Sequence, residues 1–249
     1  MERRRLGDTG LMVSEISFGA WQLGNQDDYA PMDDATARRL VAAALDAGID
    51  LFDTAPNYAA SNSERILGEA LQGRRDEVVI VTKFGHPPQG AKDFRVDRFW
   101  DGLHDSLRRL RTDHLDVLLL HNPEAAMYGG TDPLWAQLAT AREQGKIRHY
   151  GASLDLAADA IACIENTGSE VLEVLFNILH QDVRRAFPLI RERGIGTIVK
   201  IPLDSGWLTG RFDRTSRFAG IRSRWSAAEI ARRAELVERL TGMIPDDAS

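Results

Sequence analysis

Short apolar runs rich in β-branched residues recur along this chain, with amphipathic stretches between them. Runs at 16–21, 51–53, 78–83, 114–121, 147–153, 171–178 and 195–201 each read as a strand. Several lack the apolar–polar alternation of a half-exposed strand, which places them in a sheet covered on both faces. One marker near the end of each run (Trp21, Asp53, Lys83, His121, Ser153, Asn177 and Lys200) gives intervals of 32, 30, 38, 32, 24 and 23 residues. Strand-plus-helix units of that length build a parallel α/β fold. Helix signals fall where this scheme needs them. Asp33 or Asp34 caps a helix that turns Leu40, Val41, Ala44 and Leu45 inward and stops at Gly48. Pro133 stands in the first turn of another, closed by Gly145, and 225–240 is helical.

The 249 residues suit one (β/α)8 barrel, which takes about 250. No linker or low-complexity segment divides them, so a single domain over 1–249 is expected. No G-x-G-x-x-G follows the first run, which argues against a doubly wound dinucleotide fold; Gly194-Ile195-Gly196 precedes a strand and reads as a turn. The first residues form a hairpin around Gly7-Asp8-Thr9-Gly10. After Ile201 only 48 residues remain, turn-rich over 208–224, and no eighth strand stands out in them. The expected fold is therefore parallel α/β with an N-terminal β-hairpin, one βα unit short of a closed (β/α)8 barrel. Such a sheet exposes two edges. Either the chain is truncated or another segment or subunit covers the gap, so self-association through the open edge is an expectation.

A net charge of −6 argues against a nucleic-acid partner, which wants a basic surface. One cysteine, Cys163, makes no internal disulfide, and no run reaches the ~18 apolar residues of a membrane span, so a cytoplasmic location is expected. Of the six histidines only His121 and His180 are placed to converge on a metal, and there is neither H-E-x-x-H nor G-x-S-x-G. No metal site and no serine nucleophile are expected.

Four residues at or just beyond strand ends carry the chemical interest: Asp53, Tyr58, Lys83 and His121. Taken singly, an aspartate there is commonly a cap, a tyrosine a loop anchor, and a histidine a satisfied core residue. Lys83 is harder to set aside. It is one of only four lysines in an arginine-rich chain, and on an apolar strand an ammonium needs a partner. Their local motifs are D-T-A-x-x-Y (53–58), S-E-x-x-L-G (63–68), V-T-K-F (81–84) and L-L-L-H-N-P (118–123).

In order and spacing these motifs resemble those of the aldo-keto reductase family. The likeness runs from R-R-L-G-x-T-G-L-x-V-S at 4–14 to P-L-D-S-G-W-L-T-G-R-F at 202–212. The resemblance favours the (β/α)8 TIM-barrel type over a doubly wound sheet, and implies reduction of an aldehyde or ketone by hydride transfer from NADPH, with NADH as the alternative cofactor. Tyr58 would be the acid. A nearby ammonium, Lys83, would pull its pKa down from about 10 toward the working range. Asp53 would hold Lys83, and His121 would orient the small-molecule carbonyl. It further implies cofactor contacts from Ala20, Trp21, Ser153, Lys200, Pro202, Leu203, Ser205, Gly206, Leu208 and Arg211.

Departures from the family pattern are Leu154 after the serine, Glu173 where a glutamine is common, and Lys200 where an aromatic often stacks. The segment that grips the adenosine 2′-phosphate would lie past Ser249; Arg211, Arg217, Arg222 and Arg224 are the candidate replacements. Trp21, Tyr128 and Trp207 are candidates for the substrate pocket. Two other readings stay open: a cofactor-free barrel serving as a binding or regulatory module, and a non-redox dehydration or epimerisation on the same four residues.

Overall fold

All seven apolar runs form strands of one parallel sheet, in the order in which they occur. The computed structural model describes residues 1–25 and 31–243, apart from the side chains of residues 221 and 222. An antiparallel hairpin, β1 (Arg3–Arg5) and β2 (Met12–Ser14), comes first. The sheet then runs β3 (Phe18–Gly19), β4 (Leu51–Asp53), β5 (Val79–Phe84), β6 (Leu115–His121), β7 (Ile147–Leu154), β8 (Val171–Leu175) and β9 (Gly196–Lys200). The intervening helices are α1 (Asp34–Asp46), α2 (Asn62–Ala70), α3 (Phe99–Leu110), α4 (Pro133–Glu143), α5 (Ala157–Asn166) and α6 (Phe187–Glu192). After β9 comes α7 (Ala227–Thr241), started by a capping box between Ser226 and Glu229.

Strand parity sorts the side chains. Leu51, Val79, Val81, Val117, Leu119, Val171 and Ile198 form an inner cluster with Leu6 and Val13 of the hairpin, which plugs that end of the sheet. The alternating residues, among them Phe52, Ile80, Leu118, Leu120, Leu172 and Val174, join an outer layer with the helices. Burying each such side chain stabilises the fold by about 1.5–3 kcal/mol. Two residues beyond the inner apolar layer, on the same parity, stand Asp53, Lys83, His121, Glu173 and Lys200. One end of the interior is thus apolar and plugged, and the other is polar.

The structure differs from expectation in several places. The first strand is only two residues long, and Ile16 is exposed, because this edge has a single hydrogen-bonded neighbour. Ala37, not Leu40, completes the buried face of α1. Beyond β9, Phe212 and Phe218 leave the expected turns to pack with Trp207, Trp225 and α7 in a separate cluster. Among the described residues no eighth strand joins the sheet, so β3 and β9 are its two edges, and Val199 on β9 is 40% exposed. Residues 244–249 lie outside the described residues. No helix among those described is long and apolar enough to cross a membrane.

Candidate active site

Asp53, the last residue of β4, and Lys83, near the end of β5, meet at the polar end of the interior. Lys83 Nζ donates to Asp53 Oδ1 at 2.5 Å, to the Thr54 carbonyl at 3.1 Å and to Tyr58 Oη at 3.5 Å. The lysine is 1% exposed, so its ammonium depends on these partners. Glu173, on β8, brings Oε2 to 3.3 Å from the same nitrogen. That approach lacks hydrogen-bond geometry, and the oxygen is buried with no other partner.

Tyr58 is held by its loop. Ser63, opening α2, donates to the Ala20 carbonyl at 2.8 Å and so accepts from Thr54 Oγ1 at 2.9 Å. Glu64 accepts from Thr82 at 2.7 Å and from Arg109 at 2.6 Å. Gly68 lets α2 and α3 touch, since a Cβ there would lie 2.3 Å from the Arg109 carbonyl. The S-E-x-x-L-G motif is therefore the foundation under Tyr58. Between them, Ala59, Ala60 and Ser61 all adopt left-handed backbone (φ 49°, 49° and 78°), a strained turn that carries the chain from the phenol into α2. The Tyr58 ring stacks on Trp21 at 6.1 Å and meets His121 edge-on at 5.9 Å.

Charge at the site follows burial. Burial alone would push the Lys83 ammonium down, but Asp53 and Glu173 outweigh it and the net shift is upward. Asp53 is pushed up to about 7, by burial first and then by Glu173, against the pull of Lys83. The Tyr58 phenol is raised. Burial dominates, Lys83 lowers it as the sequence suggested, and Asp53 and Glu173 raise it again. The expected net fall toward neutrality is thus reversed, because burial disfavours the phenolate by more than the ammonium favours it, and the two carboxylates add to the rise. Tyr58 carries its proton at neutral pH. His121 is held well below the usual imidazole range by burial, then by Lys83 and by His86, whose ring stacks on it at 4.2 Å.

Asp53, Tyr58, His121 and Glu173 line a cleft of about 970 Å³, with Lys83 buried behind them; this is at the upper end of the roughly 300–1,000 Å³ typical of small-molecule and cofactor sites. Of the cofactor residues expected from sequence, Trp21, Ser153, Lys200, Pro202, Leu203, Ser205, Gly206 and Arg211 are in its wall. Ala20 and Leu208 are not. Ala20 is fully buried behind the wall with its N–H on the Asp53 carbonyl, and Leu208 packs on the Trp207 cluster. Tyr128 and Trp207 are buried away from the cleft; Trp21 lines it. Lys200 spans part of the mouth, donating at 2.8 Å to both Ser153 Oγ and Asn122 Oδ1 and pairing with Asp155 at 2.9 Å.

Among the replacement arginines, Arg217 bonds its own loop's carbonyls at 2.8 and 3.0 Å and Arg224 donates to Ser205 Oγ at 3.4 Å. The Arg222 side chain lies outside the described residues. Asn122, His86 and Asp155 also line the cleft and were not singled out from sequence. Asn122 had a signal, its place directly after His121; His86 and Asp155 sit in loops with none. No group of three His, Cys, Asp or Glu residues among those described is placed to hold a metal, and His180 pairs with Asp204 instead.

A curled parallel half-barrel with a buried lysine, a phenol, a carboxylate and an imidazole at one end defines a class of oxidoreductase scaffold. The profile of the Aldo/keto reductase family matches residues 15–244, and the chain belongs to that family. It is 32% identical over 222 residues to L-galactose dehydrogenase of Arabidopsis thaliana, covering 84% of this chain and 67% of that one. It is equally 32% identical, over 241 residues, to a probable voltage-gated potassium channel subunit beta of Oryza sativa subsp. japonica, covering 88% of this chain and 70% of that one. Among solved structures, the holo form of aldo-keto reductase AKR11C1 from Bacillus halodurans superposes with a TM-score of 0.81 at 27% identity, over 99% of this chain and 78% of that one.

Proposed function

We propose that the chain reduces an aldehyde or ketone to an alcohol with NADPH, Tyr58 acting as the general acid. One observation carries this reading: the buried Lys83 ammonium lies within reach of both Asp53 and Tyr58, which line an open cleft. A nicotinamide cofactor, when bound, supplies the hydride. The wall suits such a group because it carries a buried acceptor without a hydrogen-bond partner, Glu173 Oε2, and Ser153 and Asn122 as exchangeable amide partners. Accepting a carboxamide there exchanges a bond now made to Lys200. Arg211, in the same wall, is the cation available to a 2′-phosphate and supports NADPH over NADH.

The residues divide the remaining work. His121 is neutral and offers a hydrogen bond to the carbonyl oxygen. As negative charge grows on that oxygen, the Tyr58 phenol is its proton source, and an alkoxide is basic enough to take a proton from a phenol of raised pKa. Lys83 then faces a phenolate and stabilises it. Asp53 keeps the ammonium charged and aimed.

Replacing Tyr58 by Phe removes the proton and keeps the ring. Turnover of a generic aldehyde is expected to fall at least about 100-fold, the lower bound for losing a positioned acid. NADPH affinity, read by cofactor fluorescence, is expected to stay within about twofold. Unchanged turnover would remove Tyr58 from the mechanism.

A further inference from the structure

We propose that Glu173 makes this cleft sense the redox state of its cofactor, holding the cationic oxidised nicotinamide more tightly than the neutral reduced one. The inference rests on reading the cleft as a nicotinamide site. An ammonium has three N–H donors, and those of Lys83 go to Asp53, the Thr54 carbonyl and Tyr58. Glu173 therefore shares the lysine's field at 3.3 Å without sharing a proton from it. Two carboxylates face one ammonium at the floor, so the group carries either a spare proton or an excess negative charge. The raised pKa of Asp53 agrees with that bookkeeping.

Other charges near the floor do not cancel the excess. Tyr58 and His121 are neutral there. Ser153, the register partner of Glu173 on β7, is uncharged, and Lys200 on β9, the weakest of the influences on Asp53, is itself paired with Asp155. Oxidation of a nicotinamide turns a neutral ring into a cation. A negative charge in the wall favours the cation, and the preference should strengthen as pH rises and the spare proton leaves. A glutamine of the same shape would keep a hydrogen-bond acceptor and lose the charge.

The test is a set of binding titrations on the full chain and on Glu173→Gln, from about pH 6 to about pH 9. NADPH is followed by its own fluorescence and NADP+ by quenching of tryptophan fluorescence. In the unmodified chain the affinity ratio of NADP+ to NADPH should climb with pH. In E173Q it should drop roughly tenfold at the alkaline end and lose its slope. A ratio independent of pH in the unmodified chain, or identical in E173Q, overturns the proposal whether or not the variant folds well. Failure of the unmodified chain to bind either form would instead overturn the cofactor reading itself.

Discussion

At the scale of single residues, burial is the largest single influence on protonation at this site, and only at Lys83 do neighbours, the carboxylates Asp53 and Glu173, together outweigh it. Tyr58 shows it: the lysine pulls its pKa down, and the dry surroundings with two carboxylates push it further up. The imidazoles give a measurable consequence. In the unfolded chain they take up protons as pH falls through about 6.5. In the folded site burial lowers the pKa of His86 and holds His121 neutral, so these depressed values contribute stability above that pH that is withdrawn as pH falls below it. Asp53 acts in the opposite sense. Its raised pKa contributes stability that is full below about 4 and is lost as pH rises toward about 7. In His121→Asn the first effect shrinks while the second stays. The urea midpoint should therefore fall less between pH 7 and pH 5 than in the unmodified chain, and an equal fall would mean His121 is not held neutral.

At the scale of elements, the strands deliver their functional residues by parity, and one glycine shows how tight that delivery is. Gly151 holds the inner position on β7 two residues before Ser153, and a Cβ there would lie 1.7 Å from the Val171 carbonyl of β8. Gly151→Ala should part the β7–β8 ladder and cost at least about 3 kcal/mol in denaturant unfolding, the upper range of overpacking effects. A stability within about 0.5 kcal/mol of the original would show that the two strands can separate freely. Run lengths and caps made these strands and helices legible in the sequence to within a few residues. The two-residue β3 was overread, because a sheet edge needs little chain and apolar composition does not report that. Ser63, Glu64 and Gly68 could be seen as a motif, but their job as supports required knowing what lies beneath them.

At the scale of the molecule, the wall of the cleft is tied to a helix far along the chain. Asp204, 4% exposed in the turn that lines the cleft, pairs with Arg233 of α7 at 3.3 Å and with His180 at 3.2 Å. Asp204→Ala leaves the Arg233 guanidinium and the His180 ring without their acceptor, and the turn should loosen. We expect weaker NADPH binding by fluorescence and faster proteolytic cutting within 203–209, with the Tyr58–Lys83 floor untouched. Unaltered affinity and cutting would mean the turn holds itself. The two sheet edges, β3 and β9, stay unjoined among the described residues. The proposed self-association through them can be checked by light scattering across protein concentration; a monomer at every concentration would end it.

Hydrophobic period and turn residues were enough to read a parallel α/β sheet one unit short; the family likeness of the motifs then favoured a barrel and singled out Asp53, Tyr58, Lys83 and His121 at one end of it. These are local properties: a strand's parity and a motif's spacing are written in neighbouring residues. Only the folded chain decided that Glu173 shares Lys83, that Lys200 reaches Ser153 and Asn122, and that the phenol stays protonated. Each of those depends on distances between residues dozens of positions apart and on how much water the surrounding atoms exclude, and no stretch of sequence carries that information alone.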